Sequence, residues 1–214
     1  YLKMENYLYA RNAFELASTL HFDEELTEDA LYQYAVLSYK LDFNPFDEAV
    51  EAMNLYLERY PDSHRTQDIY QYLVNVYTTM KNYKSAMAAI DRIEEKDFKM
   101  KNAYQIMAYN YGVELFDNGA LRLSQKAFTS ARKYPIDPKL TALSHYWTAE
   151  ASYKLGDYPT AISQYRTFIE IPGSYGLPQH NDAYYNIAYC YFKQKDYESA
   201  IQNFRTFTQD FSEP

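Results

Sequence analysis

A fifteen-residue phrase occurs twice near the end of the chain. KLGDYPTAISQYRTF starts at Lys154, KQKDYESAIQNFRTF starts 39 residues later at Lys193, and eight residues occupy the same offsets in both. An internal repeat constrains the fold more than any other feature of a sequence. Each copy is one structural unit, and it buries its apolar face only by stacking on its neighbours.

The second part of this phrase predicts an amphipathic helix. A small residue lies at its centre, with large apolar residues three positions before it and four positions after it, and these offsets share one face of an α-helix. The small residue recurs every 37 to 39 residues, at Ala10, Ala49, Ala86, Ser124, Ala161 and Ala200. The large residues that precede it are Tyr7, Phe46, Tyr83, Leu121, Tyr158 and Tyr197.

Another apolar pattern precedes each of these helices, and turn-forming sequences separate the copies at residues 60–63, 134–138 and 171–181. In the last copy the preceding pattern is Tyr184, Ile187, Ala188 and Tyr191. The chain is therefore predicted to be all-α, with about five and a half helix–turn–helix repeats. Residues 1–22 supply the second helix of a partial first repeat, and the later repeats span 23–61, 62–98, 99–136, 137–173 and 174–214. The second repeat carries two extra residues near Asn44 and Pro45.

The best-defined copy, HYWTAEASYKLGDYPTAISQYRTFIEIP at residues 145–172, resembles a tetratricopeptide repeat. The period exceeds the roughly 34 residues usual in that family, which we interpret as longer loops between helix pairs. The resemblance covers nearly the whole chain and implies a single right-handed α-solenoid. The sequence of the repeat is also similar to that of a Tyr-rich subgroup found in bacterial envelope proteins. This subgroup includes the Tol-Pal coordinator and the tetratricopeptide lipoprotein of the barrel-assembly machinery. That similarity favours the periplasm or the outer membrane as the location, with the cytoplasm as the alternative.

The resemblance also implies a binding groove, because ligands of this family usually bind the concave surface lined by the first helix of each pair. Tyr suits such a surface, since it offers a large ring, two torsions and a hydroxyl that tolerates water. The predicted groove residues are Tyr32, Tyr39, Gln71, Asn75, Tyr109, Phe116, Tyr146, Glu150, Tyr153, Tyr185, Tyr189 and Phe192. The polar members Gln71, Asn75 and Glu150 are expected to discriminate between partners. Only Asn75 matches the clamp with which some members bind chaperone tails.

Several classes of function lack a basis in the sequence. The net charge of −8 and the absence of basic clusters weigh against nucleic acid and against anionic membranes as partners. Cys190 is the single cysteine, and the four histidines are scattered over the repeats. Five glycines leave no glycine-rich phosphate loop. The acidic run at residues 23–29 is expected to be a solvated helix start. We therefore expect no catalysis, no cofactor and no metal site.

The function predicted for the chain is a non-enzymatic scaffold that binds a peptide or a partner helix in the aromatic groove. One alternative is a carbohydrate-binding aromatic platform of an outer-membrane glycan receptor, and another is an architectural spacer. The sequence further suggests a segment of a longer repeat protein. Its open ends are expected to invite self-association through Phe204, Phe207 and the face around Phe14.

Overall fold

The computed structural model describes residues 1–20, 23–41 and 48–211, and these contain eleven α-helices and no β-strand. The helices are α1 (Tyr7–Ala17), α2 (Glu24–Leu41), α3 (Glu48–Arg59), α4 (Thr66–Thr79), α5 (Tyr83–Arg92), α6 (Phe98–Asp117), α7 (Leu121–Ala131), α8 (Pro138–Lys154), α9 (Tyr158–Glu170), α10 (Gln179–Lys193) and α11 (Tyr197–Phe211). Short 3-10 turns occur at Leu2–Met4 and Pro172–Ser174. The predictions made for Phe46, and for the extra residues at Asn44 and Pro45, lie outside the described residues.

The helices pack in the pairs that the repeat predicts. Helix α2 packs on α3, α4 on α5, α6 on α7, α8 on α9 and α10 on α11, and the pairs stack through contacts such as those of α9 with α10. The architecture is a helical-repeat solenoid, which confirms the predicted fold class. The chain forms two compact units, Tyr1–Lys96 with α1 to α5 and Asp97–Pro214 with α6 to α11. A single superhelix over the whole chain stays a prediction.

The small residue at the centre of each copy is buried in all six repeats, from Ala10 to Ala200. Its size allows two helices to approach closely. Gly112 in α6, the first helix of its pair, also allows a close approach of two helices. A Cβ added at Gly112 would lie 2.6 Å from the ring of Phe128 in α7. The core of each pair is thus built where a small residue faces a large one.

One turn geometry recurs before the second helix of a pair. The residue five positions before the small residue has a positive φ in five copies, at Glu5, Lys81, Gly119, Gly156 and Lys195. The next residue caps the helix in four copies with a side-chain oxygen, from Asn6, Asn82, Asp157 and Asp196. The Gly-Asp or Lys-Asp dipeptide of the repeated phrase therefore encodes a left-handed residue followed by an N-cap.

No described helix is both long enough and apolar enough to cross a membrane.

Candidate functional site

The second unit carries an aromatic strip formed by Tyr153 of α8 and by Tyr185, Tyr189 and Phe192 of α10. The three α10 residues lie at positions i, i+4 and i+7, so one face of the helix presents them all. The rings of Tyr185 and Tyr189 are stacked, with centroids 6.1 Å apart and planes 14° apart. Phe192 continues the stack at 5.8 Å from Tyr189, and Tyr153 lies 6.2 Å from Tyr189.

This aromatic strip is accessible to a partner. Tyr185 is 44% exposed and Phe192 is 46% exposed, while Tyr153 and Tyr189 are half-buried. The pKa of Tyr153 is raised, chiefly because the side chain is partly buried. This side chain therefore presents a neutral hydroxyl at physiological pH. The strip therefore combines three tyrosine rings, which carry hydroxyl groups at their edges, with the wholly apolar ring of Phe192.

Two lysines add positive charge beside aromatic rings of the second unit, one at the aromatic strip and one at Phe116 of α6. The ammonium of Lys193 lies 5.2 Å from the ring centroid of Tyr189, and that of Lys154 lies 5.6 Å from the centroid of Phe116. Within the part of the chain that the structure describes, neither lysine forms a salt bridge. Sequence reasoning missed both, although each directly follows a predicted groove residue, Phe192 or Tyr153.

A second aromatic cluster surrounds Trp147 of α8. Its ring lies 5.2 Å from Phe116 and 5.4 Å from Tyr146, and its indole N–H donates a hydrogen bond of 3.1 Å to the hydroxyl of Tyr109. Burial raises the pKa of Tyr109, whose ring is also 5.8 Å from Phe128. The structure thus brings together three predicted groove residues, Tyr109, Phe116 and Tyr146, around a tryptophan that is not among the predicted groove residues.

Tyr146 does not lie on the surface, which corrects its predicted place in the groove. It is only 7% exposed, and its ring packs 5.7 Å from Tyr165 and 5.3 Å from Phe168. It belongs to a core cluster that also contains Ile187 of α10. The helix pair that follows in the solenoid covers this position, so Tyr146 stabilises the stacking of repeats rather than offering a contact.

Glu150 is likewise part of an internal polar cluster. Its Oε1 accepts a hydrogen bond of 2.5 Å from the hydroxyl of Tyr165 in α9 and one of 2.9 Å from the amide of Asn186 in α10. Burial, together with the negative charge of Glu150, raises the pKa of Tyr165 and that of Tyr146. The carboxylate therefore binds three helices together, and its expected part in choosing between partners stays a prediction.

The first unit contains four predicted groove residues, on α2 and α4. Gln71 and Asn75 are exposed. Tyr39 packs 5.1 Å from the ring of Tyr72. Tyr32, whose pKa is raised by burial, lies beneath the guanidinium of Arg65 at 4.7 Å, and its hydroxyl donates a hydrogen bond of 3.5 Å to Asp68. The two tyrosine rings therefore contact other residues of the first unit. The exposed side chains of Gln71 and Asn75 form the accessible part of the predicted groove there.

Groups that could serve other chemistry are held in structural roles. Cys190 is fully buried, and burial together with the charge of Glu150 raises its pKa to about 12. Nδ1 of His145 lies 2.8 Å from Oε1 of Gln164, and burial lowers the pKa of this histidine. Among the described residues no cluster of His, Cys, Asp and Glu could hold a metal ion. His21 lies outside them.

Comparison with known proteins identifies the repeat. Three family models described as tetratricopeptide repeat match residues 29–63, 109–175 and 182–206, which together make up more than half of the chain. No curated protein sequence matches it.

Several solved structures are similar. The apo form of RapI is 18% identical with a TM-score of 0.48, and the match covers 95% of this chain and 60% of RapI. YrrB, described as a tetratricopeptide-repeat protein with an unusual peptide-binding site, is 20% identical with a TM-score of 0.43, over 93% of this chain and 92% of YrrB. The TPR2AB domain of yeast Sti1, in a complex with pHSP90, is 20% identical with a TM-score of 0.41, over 98% and 87%.

Proposed function

Because this chain belongs to the tetratricopeptide repeat family, we propose that it is a non-enzymatic protein-interaction scaffold. It binds an extended peptide or a partner helix at the aromatic strip of the second unit. The observation that carries this proposal is the exposure of Tyr185 and Phe192 in a stack of rings that continues through Tyr189. Exposed aromatic residues in register along one helix are a surface that partner binding would stabilise.

The spacing of the rings supports a polypeptide partner. Neighbouring centroids in the strip are 5.8 to 6.2 Å apart. Alternate side chains of an extended strand repeat about every 6.6 Å, and side chains four residues apart on a helix repeat about every 6 Å. Either kind of segment therefore places successive apolar side chains against successive rings. The ammonium group of Lys193 lies 5.2 Å from the ring centroid of Tyr189 and adds a polar contact beside this surface.

The surroundings of Trp147 favour a protein partner over a glycan. Tryptophan is the best stacking ring for a sugar, but Trp147 is half-buried between Phe116 and Tyr146, and its N–H is bound to Tyr109. If the chain is instead an architectural spacer, substitutions in the aromatic strip should leave its function unchanged. The similarity to envelope proteins, and the location that it favours, remain predictions.

A crosslinking pull-down tests this function. The bait is the whole chain, compared with a variant that carries Tyr189→Ser and Phe192→Ser. Tyr146 is left intact because it is a core residue, and Tyr185 because its ring packs on Phe204 at 5.4 Å. The matched control carries Leu26→Ser and Leu123→Ser, which change two exposed apolar residues elsewhere.

A captured protein is then purified and its affinity for each variant is measured. We expect the strip variant to bind at least about tenfold more weakly, since truncation of a central aromatic contact commonly costs more than 1 kcal/mol. The control should bind as the parent does. Equal affinity of parent and strip variant, with equal helix content, would reject the strip as the binding site, and capture of no protein by either bait would support the spacer.

A further inference from the structure

A groove with basic side chains in its lining lies beside α7 of the second unit. It has a volume of about 600 Å³ and is formed by α7 and by the turn that joins α8 to α9. Its lining residues are Arg122, Gln125, Lys126 and Thr129 of α7, together with Leu155 and Asp157 of the turn. The four residues of the aromatic strip are not among them. A groove of this volume lies within the range of about 300 to 1,000 Å³ that ligand sites occupy.

The two cations that line the groove are not paired with carboxylates. Arg122 and Lys126 are exposed and lie four residues apart on α7, so they share one side of this helix. Neither forms a salt bridge within the described part of the chain, although Asp157 lines the same groove. Residues 118–136 contain four basic residues and neither Asp nor Glu, in a chain whose net charge is −8. The groove is therefore a local positive site on an acidic protein.

A third cation, Arg132, adjoins the groove through Thr129. Its guanidinium donates hydrogen bonds to the hydroxyl of Thr129 at 3.1 Å, and to the carbonyl oxygen of Ser144 at 3.0 Å and the hydroxyl of Thr148 at 3.1 Å. These partners are uncharged, and Arg132 forms no salt bridge with a described residue. Burial lowers its pKa, yet an arginine stays charged at neutral pH. Its uncompensated charge adds to the positive potential of the groove.

The packing of the repeat does not require the two lining cations. Arg122 lies two positions before the small residue of its copy, and Lys126 lies two positions after it. The same positions have Pro and Ser in the fifth repeat, and Glu and Gln in the sixth. Arg122 also lies in the first turn of α7, where a positive charge disfavours the helix. A residue that weakens its own helix is expected where function requires it.

We propose that this groove binds an acidic polypeptide segment, at a site additional to the aromatic strip. Arg122 and Lys126 are separated by a rise of about 6 Å along α7, and alternate side chains of an extended strand repeat about every 6.6 Å. A strand with glutamate at alternate positions therefore places one carboxylate at each cation. Leu155, which is 41% exposed, contacts the CH₂ groups of these side chains. Asp157 accepts a hydrogen bond from a backbone N–H of the segment, whereas it would repel a phosphate backbone.

Charge reversal tests the groove, with the fluorescence anisotropy of a labelled peptide as the measurement. The probe is a peptide of alternating glutamate and serine, and its glutamine counterpart is the neutral reference. We expect the whole chain to bind the glutamate peptide at low salt and to release it at about 0.5 M salt, where the screening length falls to about 4 Å. The variant with Arg122→Glu and Lys126→Glu should bind it at least about tenfold more weakly. This variant should also bind the corresponding lysine peptide more tightly than the parent does.

The matched control carries Lys99→Glu and Lys139→Glu, which change the net charge equally at two exposed sites of the second unit. Lys139 lies in the first turn of α8, about 24 Å along that helix from the turn that lines the groove. This control should bind the glutamate peptide as the parent does. The strip variant with Tyr189→Ser and Phe192→Ser should bind it equally well, which separates this proposal from the proposed function.

Calorimetry shows whether the groove variant is folded. Because Arg122 is unfavourable in the first turn of α7 and glutamate is favourable there, the variant should melt no lower than the parent. A loss of peptide binding in a protein of unchanged melting temperature then reports on the groove itself.

Four results would overturn the proposal. A parent that binds no glutamate peptide at low salt, or that binds the glutamine peptide equally, would exclude a site for acidic segments. Equal weakening in the groove variant and the lysine control would assign the binding to net charge. Loss of binding in the strip variant would place the peptide on the aromatic strip. A single-stranded oligonucleotide that binds more tightly than the peptide, and is released by the charge reversal, would make nucleic acid the partner.

Discussion

At the scale of single residues, the stability of the second unit depends on tyrosine hydroxyls as well as on tyrosine rings. Tyr165 is almost fully buried, and its hydroxyl donates to Glu150. The first unit repeats this chemistry, because the buried Tyr56 donates to Glu28 at 2.6 Å and Tyr34 donates to Glu48 at 3.0 Å. Part of the high tyrosine content thus provides hydrogen bonds inside the solenoid rather than a binding surface.

Substitution of Glu150 by alanine should destabilise the protein by about 1 to 3 kcal/mol, because it leaves the buried hydroxyl of Tyr165 without its acceptor. Glu150→Gln keeps an acceptor oxygen and should cost less. Urea unfolding measures the free energies, with the exposed Glu114→Ala as the control that stays within about 0.5 kcal/mol of the parent. An unchanged free energy of unfolding in Glu150→Ala would show that the cluster contributes nothing to stability.

The thiol of Cys190 should resist modification in the folded state. Its raised pKa of about 12 keeps it protonated near neutral pH, and its burial excludes reagents. We expect labelling by a disulfide reagent to follow unfolding of the protein, and not the ordinary thiol ionisation near pH 8.5. Because the unfolded thiol ionises first, its contribution to stability is complete below about pH 8.5 and is lost as the pH rises towards 12. Rapid labelling of the folded protein at pH 8 would contradict this.

At the scale of secondary structure, the turn before each second helix tolerates glycine and lysine unequally. Gly119 and Gly156 adopt its positive φ without strain, while Lys81 and Lys195 adopt the same conformation with a Cβ that disfavours it. A side chain added at Gly156 would meet nothing within 4 Å. The cost at this position therefore comes from the backbone conformation and not from packing.

Replacing Lys195 by glycine should stabilise the protein by about 1 kcal/mol, which raises the melting temperature by roughly 2 to 4 °C. The reverse change, Gly156→Ala, should destabilise it by a similar amount. Differential scanning calorimetry gives both values, and Lys126→Gly provides a comparison at an exposed site in the interior of α7, where glycine is unfavourable. A loss of stability in Lys195→Gly would mean that its side chain contributes more than the strain removes.

At the scale of the whole molecule, the short connection between α5 and α6 joins the two compact units along the chain. Glu94 and Glu95 in this connection are exposed. We expect a glutamate-specific protease to cut there first and to release two fragments that divide the chain near Lys96. Mass spectrometry over time identifies the cuts. A first cut inside a unit, for example after Glu170, would show that the connection is better protected than the turns.

The repeat made the fold predictable from the sequence, since six small residues at a regular interval specify where helices approach. The exposure of the groove residues was harder to predict. Tyr146 and Tyr185 occupy equivalent positions in consecutive repeats, yet one is buried and the other open. The difference depends on whether another helix pair stacks above, and on the angle at which it stacks. The residue pattern within one helix contains no information on either point. It also does not indicate that the ammonium group of Lys193 lies beside the ring of Tyr189.

The hydroxyl of Tyr165 has a consequence for how these repeats could be recombined. At the equivalent position the neighbouring repeats have Phe128 and Phe204, and opposite it, where the fifth repeat has Glu150, they have Val113 and Tyr189. Tyr165 and Glu150 thus occur together in the fifth repeat. The neighbouring repeats have neither a tyrosine at the first of these positions nor a glutamate at the second. A chimaera that transplants α9 without α8 would bring a buried donor and leave its acceptor behind. The units of this solenoid are exchangeable modules only when both helices of a pair move together.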